Sequence, residues 1–219
     1  APSAMALSMA NCATLPEPDT DTVLPSNDWP RVASISRAKY TVDYPASFMM
    51  VSAMNPCPCG NYSHPAKECV CPPGVVRAYL NRISGPLLDR IDIQVEIVPV
   101  PFEKMADKAL AEHSVDIRGR VMKARAIQSR RFSKGKGKGV FCNAQMTGRM
   151  LHQYASPDEA GLKLLRTAME RRSLSARAYD RILKVSRTIA DLDESERIGP
   201  VHLAEAINYR NLDSDAWAR

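Results

Sequence analysis

Ser47-Phe48-Met49-Met50-Val51-Ser52-Ala53-Met54-Asn55-Pro56-Cys57-Pro58-Cys59-Gly60 passes from an apolar run into a turn built of proline, cysteine and glycine. The first half, Ser47 to Ala53 with Phe48-Met49-Met50-Val51 at its centre, reads as a buried strand. Asn55 follows at the carboxyl end, where open α/β sheets build their ligand sites. Nine residues then separate Cys59 from Cys69-Val70-Cys71, and the intervening loop holds Gly60, Asn61, Ser63 and Pro65, which turn a chain back on itself. Two Cys-x-Cys pairs so spaced can close a tetrahedral S4 site on Cys57, Cys59, Cys69 and Cys71, with zinc as the suited metal. The other readings are disulfides or four unrelated thiols. Adjacent Cys-x-Cys pairs make strained disulfides, and no leader with a charged start and an apolar core precedes them. His64 offers an alternative fourth ligand, while Cys12 and Cys142 read as isolated thiols.

The 219 residues, 45% hydrophobic, suffice for one or two domains with a real core. No apolar run approaches the roughly 20 residues needed to span a bilayer, so no membrane partner is expected. A reducing, cytoplasmic location is the simplest reading.

The net charge of +6 is unevenly placed. Arg118 to Pro157 contains ten Lys or Arg and no Asp or Glu: Arg118, Arg120, Lys123, Arg125, Arg130, Arg131, Lys134, Lys136, Lys138 and Arg149. A local positive field of this kind suits phosphate backbones, and DNA is the partner it points to. The alternative is a solvated helix face followed by a flexible loop around Lys134, Lys136 and Lys138.

Residues 1 to 30 differ from the rest, with five Pro, four acidic residues and no Lys or Arg. Lacking sustained periodicity, they read as a poorly ordered segment. Val32 to Ala38 and Tyr40 to Val42 read as a hairpin around Lys39, Val75 to Ile83 as a short helix and Ile91 to Val98 as a strand. Beyond Pro101 everything looks helical, with candidates at 103–112, 115–131, 143–154, 158–171, 175–192 and 200–210. Leu174, Ala178, Ile182, Val185, Ile189 and Leu192 form one apolar stripe, with Arg177, Arg181 and Lys184 on a neighbouring face.

The motifs ISRA, YPASFMMVSAMNPCPCG, CVC, RISGPLLDRIDI and LSARAYDRILKVSRTIADL together resemble the magnesium-chelatase-like AAA+ ATPases of the ComM/YifB type. The resemblance covers roughly residues 34 to 210. It implies an α/β fold at 31–100, the carboxyl-terminal part of an AAA+ core with a β-hairpin and a zinc knuckle, followed by an all-α lid at 101–219. It also implies a homo-hexamer associated with DNA, with ATP and Mg2+ as cofactors alongside Zn2+.

By the same resemblance, Asn55 matches sensor 1, where an amide orients the attacking water or meets the γ-phosphate. Arg90 matches an arginine finger reaching a neighbouring subunit's nucleotide, unless it merely pairs with Asp89 or Asp92. Arg177 matches sensor 2, and a Ser175 N-cap would set it in the first helical turn, an anion site in its own right. The hairpin with Arg37, Lys39 and Tyr40 looks like one that related helicases project toward DNA.

The departures matter equally. No GxxxxGK[ST] phosphate loop occurs in these residues, and Leu15-Pro16-Glu17 lacks the preceding acidic pair of the family. The expectation is a truncated chain with a divergent start, unable to hydrolyse ATP alone. A magnesium chelatase subunit acting on a tetrapyrrole and a non-catalytic zinc-stabilised nucleic-acid-binding module are the alternatives.

Overall fold

The computed structural model of the chain describes residues 5–9, 32–37, 40–45, 49–97, 100, 112–133 and 139–210. Most of the described elements are helices. Strand β1 (Met5–Met9) lies between β4 (Met50–Met54) and β5 (Ile93–Glu96), antiparallel to both. Met5 to Met9, expected within a segment without regular structure, is therefore the middle strand of this sheet. Its sequence, MALSM, was too short and too weakly alternating to signal one.

Strands β2 (Val32–Arg37) and β3 (Tyr40–Pro45) form an antiparallel hairpin whose register sets Arg37 opposite Tyr40. Strand β4 alternates, with Met50, Ser52 and Met54 half-buried and Val51 and Ala53 exposed. It is thus packed on one face rather than buried on both, as its apolar run had suggested. After the cysteine loop, α1 (Pro73–Leu80) begins on proline, whose missing N–H forfeits nothing in a first turn. Val76 and Leu80, one turn apart, are buried against the cysteines. A single-turn helix, α2 (Gly85–Leu88), leads into β5.

The remainder is helical: α3 (Ser114–Ser133), a 3-10 turn (Asn143–Gln145), α4 (Gly148–Tyr154), α5 (Glu159–Arg172), α6 (Ala176–Leu192) and α7 (Pro200–Asn208). The expected helix at 143–154 is broken at Met146 and Thr147, while the one at 103–112 falls almost entirely outside the described residues. Asp158 caps α5, its Oδ1 accepting from the Gly161 N–H at 2.7 Å. A Cβ on Gly161 would stand 2.5 Å from Leu203 Cδ1, so α5 and α7 pack closely here and a larger residue would force Leu203 to shift. Ile182, Leu203, Leu165 and Leu151 centre the core, and Phe132 and Tyr154 meet edge to face at 5.9 Å.

The buried face of α6 is rotated from the expected stripe. Ala178, Ile182, Ser186 and Ala190 are buried, whereas Leu192 is 43% exposed. The helical part is tied to the strand region at Ile91, Asp92 and Gln94. Gln94 donates its N–H to Tyr209 O (2.8 Å), Arg210 Nη1 donates to Ile91 O (2.7 Å), and Arg181 pairs with Asp92.

Candidate metal centre and arginine sites

The loop after β4 folds back through two left-handed residues, Gly60 (φ 79°) and Ser63 (φ 61°), with a Gly60 N–H to Cys57 O bond of 3.0 Å closing the first turn. The return brings Cys57, Cys59, Cys69 and Cys71 together, with all four sulfurs within 4.8 Å of one another. The Sγ separations are 3.3 Å (Cys57–Cys59), 3.7 Å (Cys57–Cys69) and 3.6 Å (Cys59–Cys69). A metal with bonds of about 2.3 Å to four thiolates sets its sulfurs ~3.8 Å apart, so the donor set fits a tetrahedral site. The backbone N–H of Tyr62 donates to Cys57 Sγ at 3.3 Å, an outer contact that helps to orient this sulfur.

Without a metal the thiols titrate apart. A backbone hydrogen bond from Asn61, then the Cys57 thiol, hold Cys59 down at about 6. A backbone hydrogen bond from Cys71 pulls Cys69 down, but burial and the thiols of Cys59 and Cys57 outweigh it and push Cys69 up to about 12. His64 is not in the cluster. Its Nδ1 accepts from the N–H groups of Ala66 (3.0 Å) and Lys67 (3.1 Å), so it shapes the loop.

Asn55 is exposed directly beyond β4, two residues before the fully buried Cys57. Arg90 is exposed after α2, its Nη1 donating to Pro86 O at 3.0 Å. Asp92, one possible partner for it in the sequence reading, is instead taken up by Arg181. Arg177 is the exposed second residue of α6, and Ser175 is the N-cap, its Oγ accepting from Ala178 N–H at 3.2 Å. Among the described residues no hydrogen bond or ion pair joins Asn55, Arg90 and Arg177.

The basic segment divides. Lys39, Lys134, Lys136 and Lys138 lie outside the described residues, and Arg37 and Tyr40 occupy the paired end of the hairpin. Arg120 pairs with Glu112 (2.8 Å) and Lys123 with Glu194 (2.9 Å), both at exposed sites. Arg131 turns inward. It grips the fully buried Asp191 with two donors and also reaches Asn143 Oδ1 at 2.9 Å. Arg187 joins the same carboxylate at 3.0 Å and donates to Ser195 O (2.6 Å) and Glu196 O (2.8 Å). Burial lowers the Arg187 pKa, Asp191 opposes the shift and Arg131 adds to it. Sequence reading missed this network. Its one signal is Arg187 and Asp191 four apart on a helix otherwise apolar on that side.

No helix among the described residues is long and apolar enough to cross a membrane. Residues 111–210 match the sequence family described as magnesium chelatase, subunit ChlI C-terminal, and residues 30–105 match magnesium chelatase, subunit ChlI. The chain is 38% identical over 181 residues to competence protein ComM of Haemophilus influenzae, covering 81% of this chain and 33% of that protein. It is likewise 38% identical to the uncharacterized protein YifB of Escherichia coli (82% and 34%) and 36% identical to an uncharacterized protein of Mycobacterium bovis (76% and 32%). The chain thus spans about a third of the length of the curated relatives it matches. With both ChlI families matched in order along the cysteine-bearing part and the helical part, the chain belongs to the magnesium-chelatase-related family, on the ComM/YifB side.

Proposed function

We propose that this chain supplies the sensor and arginine-finger portion of a hexameric AAA+ ATPase that moves on DNA in the cytoplasm. The observation that carries the reading is the disposition of Arg90. It is exposed beyond a one-turn helix, its guanidinium held by Pro86 O rather than by a carboxylate, and so free to meet phosphate on a neighbour. Arg177 supports it from the first turn of a Ser175-capped helix, where free N–H groups and the positive dipole end favour an anion. Asn55 stands at a strand end beside the cysteine centre and is the sensor 1 residue in this reading. ATP with Mg2+ would be held mainly by a phosphate loop that these 219 residues lack. Zinc on the four cysteines would fix the loop beside Asn55. The hairpin region with Arg37, Lys39 and Tyr40 and the segment with Lys134, Lys136 and Lys138 are the DNA contacts of this reading.

The test is ATP hydrolysis by the chain alone and with the part of a relative that carries the phosphate loop and acidic pair. Alone it should show none. Together the two should hydrolyse ATP, and the Arg90→Ala chain should not support it. Equal rates with and without Arg90 would overturn the reading.

A further inference from the structure

The cysteine loop has an outer surface that ATP chemistry does not use. Cys69 and Cys71 both turn their sulfurs into the cluster, so the residue between them is turned out, and Val70 is 80% exposed. Tyr62, tied to the same centre through its N–H to Cys57 Sγ, keeps 37% of its surface in solvent. Lys67 lies on the same loop, in the turn that His64 Nδ1 closes, and it is exposed, as are Arg77 on α1 and Arg82 just after it. Glu68 is the single carboxylate between Cys57 and Arg82.

One exposed valine needs no explanation. Here, however, an aromatic ring and an apolar tip share one loop with Lys67, Arg77 follows on α1, and five prolines from Pro56 to Pro73 limit how much freedom binding would remove. Ring faces take stacked bases and cations take phosphates, which is the chemistry of an unpaired nucleic-acid strand. A duplex keeps its base faces stacked and would leave Tyr62 and Val70 unused, and an acidic peptide would satisfy only the cations.

We propose that the outer surface of the cysteine loop binds single-stranded nucleic acid, with bases against Tyr62 and Val70 and phosphates on Lys67 and Arg77. These residues are distinct in sequence from the hairpin and from the lysine-rich segment, and the proposal stands whether or not Arg90 and Arg177 serve a nucleotide.

The experiment uses the full zinc-loaded chain and a fluorescein-labelled oligothymidine at low salt. Expected is a drop of about 10-fold in affinity for Tyr62→Ala/Val70→Ser, with duplex binding unchanged. Lys67→Ala/Arg77→Ala should flatten the salt dependence by roughly 0.7 for each phosphate no longer neutralised. An oligonucleotide carrying 5-iodouracil should cross-link within residues 57–82, and should still do so when Lys134, Lys136 and Lys138 are all changed to Ala. Cross-links found only elsewhere would overturn the proposal, as would parental affinity in a folded, zinc-containing Tyr62→Ala/Val70→Ser chain or absence of binding by the parent. Failure of duplex binding in the triple-lysine variant, with the 57–82 cross-link retained, would leave this surface standing while locating the duplex site at Lys134, Lys136 and Lys138.

Discussion

Arg181 of α6 pairs with Asp92 across 89 residues of sequence, joining the helix whose first turn holds Arg177 to the segment between Arg90 and β5. Asp92 is 11% exposed and Arg181 27% in their side chains, so neither charge is freely solvated. Removing the carboxylate alone leaves the guanidinium without its partner, and Asp92→Asn should lower stability by about 1–3 kcal/mol in urea unfolding. Asp92→Asn/Arg181→Met should recover part of the deficit. A single variant within about 0.5 kcal/mol of the parent, on the scale set for silent surface changes, would mean that the pair contributes little.

A larger effect is expected at Asp191, which has no exposed side-chain surface and holds two guanidiniums. Asp191→Asn should cost about 3–5 kcal/mol, because it leaves Arg131 and Arg187 buried without a counter-charge. Arg131→Gln should also destabilise the helical part, yet leave the salt slope of DNA binding where it was. A fall in that slope by about one would restore Arg131 to the phosphate-binding set.

Metal content supplies the third outcome. Elemental analysis of chain prepared under reducing conditions should find about one zinc per protein, and Cys59→Ser should lose it while the lid keeps its helices. With Cys69 pushed up to about 12 in the metal-free state, binding must expel protons at neutral pH. Affinity should therefore fall as pH is lowered from 8 to 6 in competition with a chromophoric chelator, and a flat profile would contradict thiolate ligation. In the stripped chain at pH 7, iodoacetamide should alkylate Cys59 first, since that thiol is held down at about 6.

Arg90 is best separated from a structural role in a full-length relative. Arginine to alanine at the matching position should slow turnover by roughly 10³-fold with nucleotide binding little changed, because a finger acts on the transition state. Mixing that variant with a subunit defective in its acidic pair should partly restore hydrolysis. Unchanged turnover would leave the hydrogen bond to Pro86 O as the whole role of Arg90.

Much of this architecture was legible because local signals agreed with the global packing. Ser175 before an apolar stripe gave the start of α6, the candidate at 200–210 matched α7 to within two residues, and the Cys-x-Cys spacing gave the sulfur cluster. The misses share a cause: each depends on a partner distant in sequence. β1 is a strand because β4 and β5 flank it, not because MALSM alternates. Arg131 looked like one more cation of a basic run until Asp191, 60 residues on, claimed it. Arg181 and Lys184 shared a face with Arg177 in sequence, but Asp92 and Ala144 O take them.

The ties at Ile91, Asp92 and Gln94 bear on where the chain can be cut. Composition draws the domain boundary near residue 100, where Pro99 and Pro101 punctuate the sequence. Contacts cross that line. A helical piece begun after Pro101 would lack the Ile91 carbonyl that accepts from the fully buried Arg210 and the Asp92 carboxylate that pairs with Arg181. A piece begun before Leu88 would keep both, and is the shorter unit that retains these ties.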